Sequence, residues 1–307
     1  MLIHSPRYNT PLREFGIDKP FALDRGTLVL QKLKDEFGDR IVAEEPAPIT
    51  LDDARLVHTA AYLDTLGLDE TWKRIFELKA DEYDSGTATR PLRELLDDIL
   101  FKSGGTKLAV EKALGGGLSA NLGGGYHHAF PDQGRGFCAL NDVAIAIRAA
   151  QRSGKCKQAM IVDVDFHQGD GTALTFARDS SVFTLSIHSE EGWPEEKQCS
   201  DIDIGILSSD QHTYNDRLVE GINEALSTFA PDLVLFVAGS DAYELDVLPG
   251  TAFLKLSLEE MRARDEFVID TFADRGIPLA MVFAGGYGPR VWEVHYNAVR
   301  HLFLRAS

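Results

Sequence analysis

Short apolar runs rich in β-branched residues recur along the second half of the chain, at Met160 to Val162, Val182 to Ile187, Leu233 to Val237 and Leu279 to Phe283. Amphipathic segments separate them, notably Leu140 to Arg152 and Gln211 to Phe229. The second of these has candidate caps at Ser208 to Asp210 and stops just before Pro231. Unbroken apolar runs predict strands buried on both faces, and their alternation with helices predicts an α/β fold with a predominantly parallel central sheet and helices on both faces. No internal repeat or low-complexity linker interrupts the pattern. The polar stretch Asp81 to Arg93 reads as a long surface loop rather than a boundary, so residues 1–307 are expected to form a single domain.

Glycines cluster from Gly115-Gly116-Gly117 to Gly123-Gly124-Gly125. The cluster matches neither phosphate-binding loop pattern, and its glycines fit tight turns and close backbone approach better than nucleotide binding. The chain has 307 residues, 44 % of them hydrophobic, enough for a full core. Its 31 Lys+Arg against 48 Asp+Glu give a net charge of −17. Such a chain repels phosphate backbones, so no direct nucleic-acid partner is expected, and a cationic substrate is favoured. Three cysteines, Cys138, Cys156 and Cys199, lack Cys-x-x-Cys spacing and suggest reduced thiols. The N-terminus lacks a signal-peptide pattern, and no stretch approaches the ~18 apolar residues of a membrane helix. A cytoplasmic protein is expected, and an oligomer is compatible with the sequence.

The segment Ile161-Val162-Asp163-Val164-Asp165-Phe166-His167-Gln168-Gly169-Asp170-Gly171 starts as a buried strand and runs into a turn. Strand residues two apart share a face, which would align Asp163, Asp165 and His167. Burying such a set is costly without a compensating ion, and carboxylate with imidazole suits zinc or a similar divalent metal. Asp241, at the end of Leu235-Phe236-Val237-Ala238-Gly239-Ser240-Asp241 and so just beyond an apolar run, is a candidate third ligand, although alone it reads equally as a turn aspartate. His127 and His128, after the glycine-rich loop, can divide general acid and base work, with Asp163 and Asp170 as carboxylate partners. Tyr287, among glycines after Phe283, can donate to an oxyanion.

Several blocks together resemble the zinc-dependent histone deacetylase family of the arginase/deacetylase fold. They are Gly-Gly-Gly-Tyr-His-His at 123–128, Gly-Phe-Cys-Ala-Leu-Asn-Asp at 136–142, Val-Asp-Val-Asp-Phe-His-Gln-Gly-Asp-Gly at 162–171, Ala-Gly-Ser-Asp at 238–241 and Ala-Gly-Gly-Tyr at 284–287. Ser5-Pro6-Arg7-Tyr8-Asn9 and Arg264-Asp265-Glu266 look most like its class IV branch. The resemblance implies one zinc ion on Asp165, His167 and Asp241. It makes His127 and His128 the catalytic pair with Asp163 and Asp170 behind them, and Tyr287 the oxyanion tyrosine. Gly136 and Phe137 would line a channel for the acyl-lysine stem, with Trp193 as its opposite wall. A structural potassium ion would sit near Asp163, Asp165, His167 and Ser186.

The implied reaction is hydrolysis of an Nε-acyl-lysine amide, acetyl or a longer fatty acyl, in a protein or peptide. Acetylated polyamines or other small amines are the alternative substrates. A two-metal ureohydrolase on the same fold would need a further carboxylate where the sequence reads Asp241-Ala242-Tyr243. A binding module that had lost its chemistry would lack a ligand, a histidine or the tyrosine, and all are present.

Overall fold

The apolar runs do form the centre of a parallel sheet. The structure is a computed structural model, which describes residues 1–306. Its strands are β1 (Leu2–Ile3), β2 (Ala43–Glu44), β3 (Leu118–Asn121), β4 (Ala159–Asp163), β5 (Val182–Ser189), β6 (Ile202–Ile206), β7 (Leu233–Val237) and β8 (Leu279–Val282). They pair in the order β2-β1-β3-β8-β7-β4-β5-β6, every neighbouring pair parallel.

Strand β7 shows why both faces are covered. Leu233, Leu235 and Val237 enter one apolar cluster, whereas Val234 and Phe236 enter another on the opposite face. Each of these side chains is fully buried, worth about 1.5–3 kcal/mol apiece in area removed from water. The first face packs on α5 (Leu95–Gly116) and α6 (Asp142–Arg152). The second packs on α1 (Arg25–Phe37), α8 (Tyr214–Thr228), α9 (Leu258–Ala273) and α10 (Trp292–Ala306). A third cluster joins Phe15 and the short helices α2 (Leu51–Ala54), α3 (Ala60–Thr65) and α4 (Asp69–Ile75), through Ala54, Tyr62 and Trp72, to Leu95 and Ile99 of α5.

Two boundaries differ from expectation. The helix expected from Leu140 starts at Asp142, because Asn141 caps it by accepting a hydrogen bond from the Ala144 N–H. The segment expected as one helix from Gln211 is divided: Ser208–Thr213 is a 3-10 turn, which contains the expected capping residues, and α8 begins at Tyr214. The Asp81 to Arg93 stretch is largely exposed and is tied to the N-terminal segment, with Asp84 N–H donating to the Gly16 carbonyl and Arg90 N–H to that of Glu14. Among the described residues no helix is long and apolar enough to cross a membrane.

The chain passes from β3 to β4 over the positions of β8 and β7. Open parallel sheets leave a crevice beyond the strand carboxyl ends at such a switch point, and the loops that follow β3, β8, β7 and β4 meet there.

Candidate active site

Strand β4 ends at Asp163, so Asp165 and His167 lie in the turn that follows rather than on an alternating strand face. The turn sorts the acidic residues into two tasks. Asp163 turns towards His127, with Oδ2 2.7 Å from His127 Nδ1, and its Oδ1 accepts the Asp165 N–H at 3.1 Å. Asp165 and His167 turn instead towards Asp241, beyond the end of β7. Ligand atoms of Asp165, His167 and Asp241 all lie within 4.8 Å of one another, and all three residues are buried.

Backbone donors hold the two carboxylates of that trio. Asp165 accepts from the N–H of His167 at 2.9 Å and of Gly285 at 2.7 Å, and Asp241 accepts from the Phe166 N–H at 2.9 Å. His167 Nδ1 lies 3.2 Å from Asp165 Oδ1 and 2.9 Å from Asp241 Oδ2. Burial would lower the His167 pKa, but the bonds to Asp165 and Asp241 raise it to about 10. Two buried carboxylates against one imidazole leave net negative charge in a low-dielectric site, the condition that a bound cation relieves. The donor set of two carboxylate oxygens and one imidazole nitrogen suits zinc. Gly285 makes the close approach feasible: a Cβ there would come within 2.3 Å of Asp241 Oδ2 and 2.6 Å of Asp165 Oδ2.

The loop after β3 brings His127 and His128 beside the trio, their ring centroids 4.0 Å apart. His128 Nδ1 lies 2.7 Å from Asp170 Oδ1, at the start of α7 (Asp170–Phe176), and Arg135 pairs with the other Asp170 oxygen at 3.2 Å. With both Nδ1 atoms occupied, the Nε2 atoms are the free ones, and that of His127 is 3.8 Å from Asp165. The two imidazoles are driven apart electrostatically. Burial opposes charge on His127, but Asp163 and Asp165 raise its pKa to about 9. Burial and the neighbouring His127 lower His128 to about 4. At neutral pH one ring is charged and the other is a free base.

Tyr287 is buried after β8, with its pKa raised well above 10 by burial and by Asp241 and Asp165, so its hydroxyl stays a donor. The segment that carries it is gripped from several sides. Asp246 Oδ2 accepts the Tyr287 N–H at 2.7 Å, and Val247 N–H donates to the Tyr287 carbonyl at 3.2 Å. Arg25 donates to the carbonyls of Ala284, Gly285 and Gly286. Burial, followed by the Asp241 charge, raises Asp246 to about 7.

Asp165, His167, His127, His128, Gly136, Phe137 and Tyr287 all line one cavity of about 150 Å³. Phe137 has φ +67°, a left-handed conformation that a bulky residue adopts only when its surroundings impose it. Phe21 completes the aromatic lining, 5.0 Å from Phe137 and 5.8 Å from Tyr287 between ring centroids. Trp193 stands edge-on to His128 at 4.7 Å and to His167 at 5.9 Å, and a Cβ on Gly136 would come within 2.7 Å of its ring. Ser186 pairs in register with Asp163, and its Oγ lies 2.9 Å from His188 Nδ1.

Several contributors escaped the sequence reading. Asp142 accepts the N–H of Gly125 at 2.9 Å and of Tyr126 at 2.6 Å, fixing the loop before the histidines. His58 does the same from the other side. Its Nε2 accepts the Asn141 N–H and its Nδ1–H donates to the Phe130 carbonyl, each at 2.9 Å, an arrangement only the neutral ring satisfies. Asp142 had a local signal, an Asn-Asp pair at a helix start; Arg25, His58 and Asp246 had none, being distant in sequence from what they hold.

A family model described as the histone deacetylase domain matches residues 19–302. An uncharacterised protein of Picosynechococcus is 42 % identical over 205 residues, covering 66 % of each chain. Histone deacetylase 2 of Arabidopsis thaliana is 30 % identical over 98 % of this chain and 78 % of its own length. Among solved structures, the HDA15 HD domain shares the fold, with a TM-score of 0.69 and 22 % identity over 94 % of this chain and 88 % of that one. The chain belongs to the histone deacetylase family.

Proposed function

We propose that residues 1–307 form one catalytic domain that hydrolyses Nε-acyl-lysine amides, with a single zinc ion on Asp165, His167 and Asp241. The observation that carries this reading is that Asp165 and His167 of that buried trio, a carboxylate-tethered histidine pair and a protonated tyrosine line one cavity, with Asp241 directly behind His167. Zinc at those donors supplies Lewis-acid polarisation of an amide carbonyl and a lowered pKa for water.

The protein's own groups do the rest. His128, neutral at pH 7, takes at Nε2 a proton from the water that attacks the amide carbonyl, while its Nδ1–H stays on Asp170. His127, kept charged by Asp163, delivers a proton from Nε2 to the departing lysine amine. Tyr287 donates its hydroxyl hydrogen to the oxyanion as charge develops there. Arg25 and Asp246 act through Tyr287, holding the backbone on either side so that the phenol is pre-set. Phe137 and Gly136, with Trp193 above the histidines, would flank the aliphatic stem and exclude water.

The same family reading extends to a potassium ion beside Asp163, Asp165, His167 and Ser186, to a class IV-like branch and to a cytoplasmic setting. The net charge of −17 favours a lysine-rich protein or peptide over nucleic acid, and it suits an acylated polyamine as the alternative. The test is a comparison of kcat/KM for one lysine peptide carrying acyl chains from acetyl to a long fatty acid against acetylated spermidine. The peptides are expected to turn over faster, with all activity lost to a chelator. Faster turnover of spermidine would assign the site to small amines, and chelator-resistant activity would remove the metal from the account.

A further inference from the structure

The segment Arg264-Asp265-Glu266 takes no part in the chemistry described so far. Glu266 pairs on the surface with Arg262 at 3.0 Å. Arg264 and Asp265, by contrast, are fully buried on α9, whose other buried residues are mostly apolar, among them Met261, Val268, Ile269 and Phe272. Asp265 Oδ1 accepts from Arg264 Nε at 2.8 Å, and Arg264 Nη2 lies at the same distance from it. A buried ion pair is a poor stabiliser, since well-packed apolar side chains of similar volume often do as well or better. The pair therefore calls for a reason other than stability.

Arg264 reaches the turn that follows β4. Its Nη1 donates to the Val164 carbonyl at 3.0 Å, and the Tyr214 hydroxyl, at the start of α8, donates to the same oxygen at 3.3 Å. Val164 stands between Asp163, which tethers His127, and Asp165 of the trio. Its N–H still donates to the Val237 carbonyl at 3.0 Å, but its own carbonyl goes to side chains of α9 and α8. Here β4 has just ended. A peptide unit is planar, so gripping that carbonyl also fixes the Asp165 N–H on its other side. That N–H donates at 3.1 Å to Asp163 Oδ1, and the Oδ2 of the same carboxylate holds His127. One grip thus sets both the direction in which Asp165 leaves the strand and the carboxylate behind His127. Neither Arg264 nor Asp265 lines the cavity, so the pair acts through the backbone.

We propose that Arg264, set by Asp265 and backed by Tyr214, is a positioning residue whose hold on the Val164 carbonyl presents Asp165 to the metal and Asp163 to His127. The inference rests on the zinc reading of the trio for its consequence, while the hold itself can be read in the metal-free backbone.

The double variant Arg264→Leu with Asp265→Leu removes both charges together, so no buried partner is left uncompensated. It should keep a Tm close to that of the full-length wild type. Its zinc affinity, measured by competition with a chromophoric chelator, should fall about tenfold or more. On the zinc-loaded proteins kcat should drop for an acetyl-lysine peptide while KM moves little. Amide hydrogen exchange of the chelator-stripped protein should quicken across residues 163–169 and not elsewhere. Arg264→Lys keeps the charge without the guanidinium fork and should fall between wild type and the double variant, and Tyr214→Phe, which loses the longer bond, should show the weakest effect. Zinc affinity within about threefold of wild type, or exchange that rises nowhere or throughout the chain, overturns the proposal. If the double variant does not fold, Arg264→Lys decides by the same readouts. If the wild type binds no zinc and hydrolyses no acyl-lysine peptide, the functional reading fails, while the exchange comparison still decides the hold on Val164.

Discussion

Replacing Asp165 by alanine should strip zinc from the protein and abolish turnover of an acetyl-lysine peptide, and His167→Ala should do the same. Asp165 and Asp241 both face His167 Nδ1, so loss of one member breaks the donor set at its centre. Removing an outer partner of a metal ligand typically costs 10–100-fold in affinity, so loss of a ligand should cost about a hundredfold or more. Asp165 also accepts the Gly285 and His167 N–H groups, which means that alanine removes structural bonds along with the charge. Asp165→Asn separates the two: the amide oxygen keeps an acceptor there while the charge is lost. Elemental analysis and turnover on the same sample read the outcome. A variant that folds, keeps a full equivalent of zinc and turns over normally would contradict the ligand assignment.

Tyr287→Phe should behave in the opposite way, retaining zinc while turnover falls. The ring keeps its contacts with Phe21 and Phe137, and the Asp246 bond to the backbone N–H does not involve the hydroxyl. What disappears is one preorganised donor to an oxyanion, worth on the order of 10²–10³ in kcat. KM should move little, because the donor acts chiefly in the transition state. An unchanged kcat would take Tyr287 out of the mechanism. A parallel loss of zinc would show that its effect is structural.

The central strands were legible because β7 and β8 are continuous apolar runs and β4 is one up to its closing Asp163, the mark of a strand buried on both faces, while β5 sets Thr184, Ser186 and His188 between its apolar residues. The edges were not. Strands β1 and β2 have two residues each, too few for any pattern, and β6 reads Ile-Asp-Ile-Gly-Ile with only part of it buried. Helix α5 was hidden by its own glycines, which propensity argues against. Gly104 and Gly105 persist there because a Cβ would come within 1.9 Å of the Ala47 carbonyl oxygen and of the Tyr8 hydroxyl, respectively.

The site shows the same division. Motif residues close in sequence to the chemistry could be found, and the structure brings Asp165, His167, Asp241, His127, His128 and Tyr287 together. The expectation that Asp163, Asp165 and His167 share a strand face did not hold, because β4 stops at Asp163 and backbone N–H groups in the turn redirect the carboxylates. Holders such as Arg25, which reaches the carbonyls 259 to 261 residues away, are set by tertiary packing and leave no local trace.

The most direct test of the central claim is a zinc titration of the chelator-stripped protein, followed by hydrolysis of an acetyl-lysine peptide. The account predicts negligible activity at zero zinc, a linear rise to one equivalent and a plateau beyond it. Full activity in demonstrably zinc-free protein, or a rise that continues to two equivalents, would contradict a single catalytic ion on Asp165, His167 and Asp241.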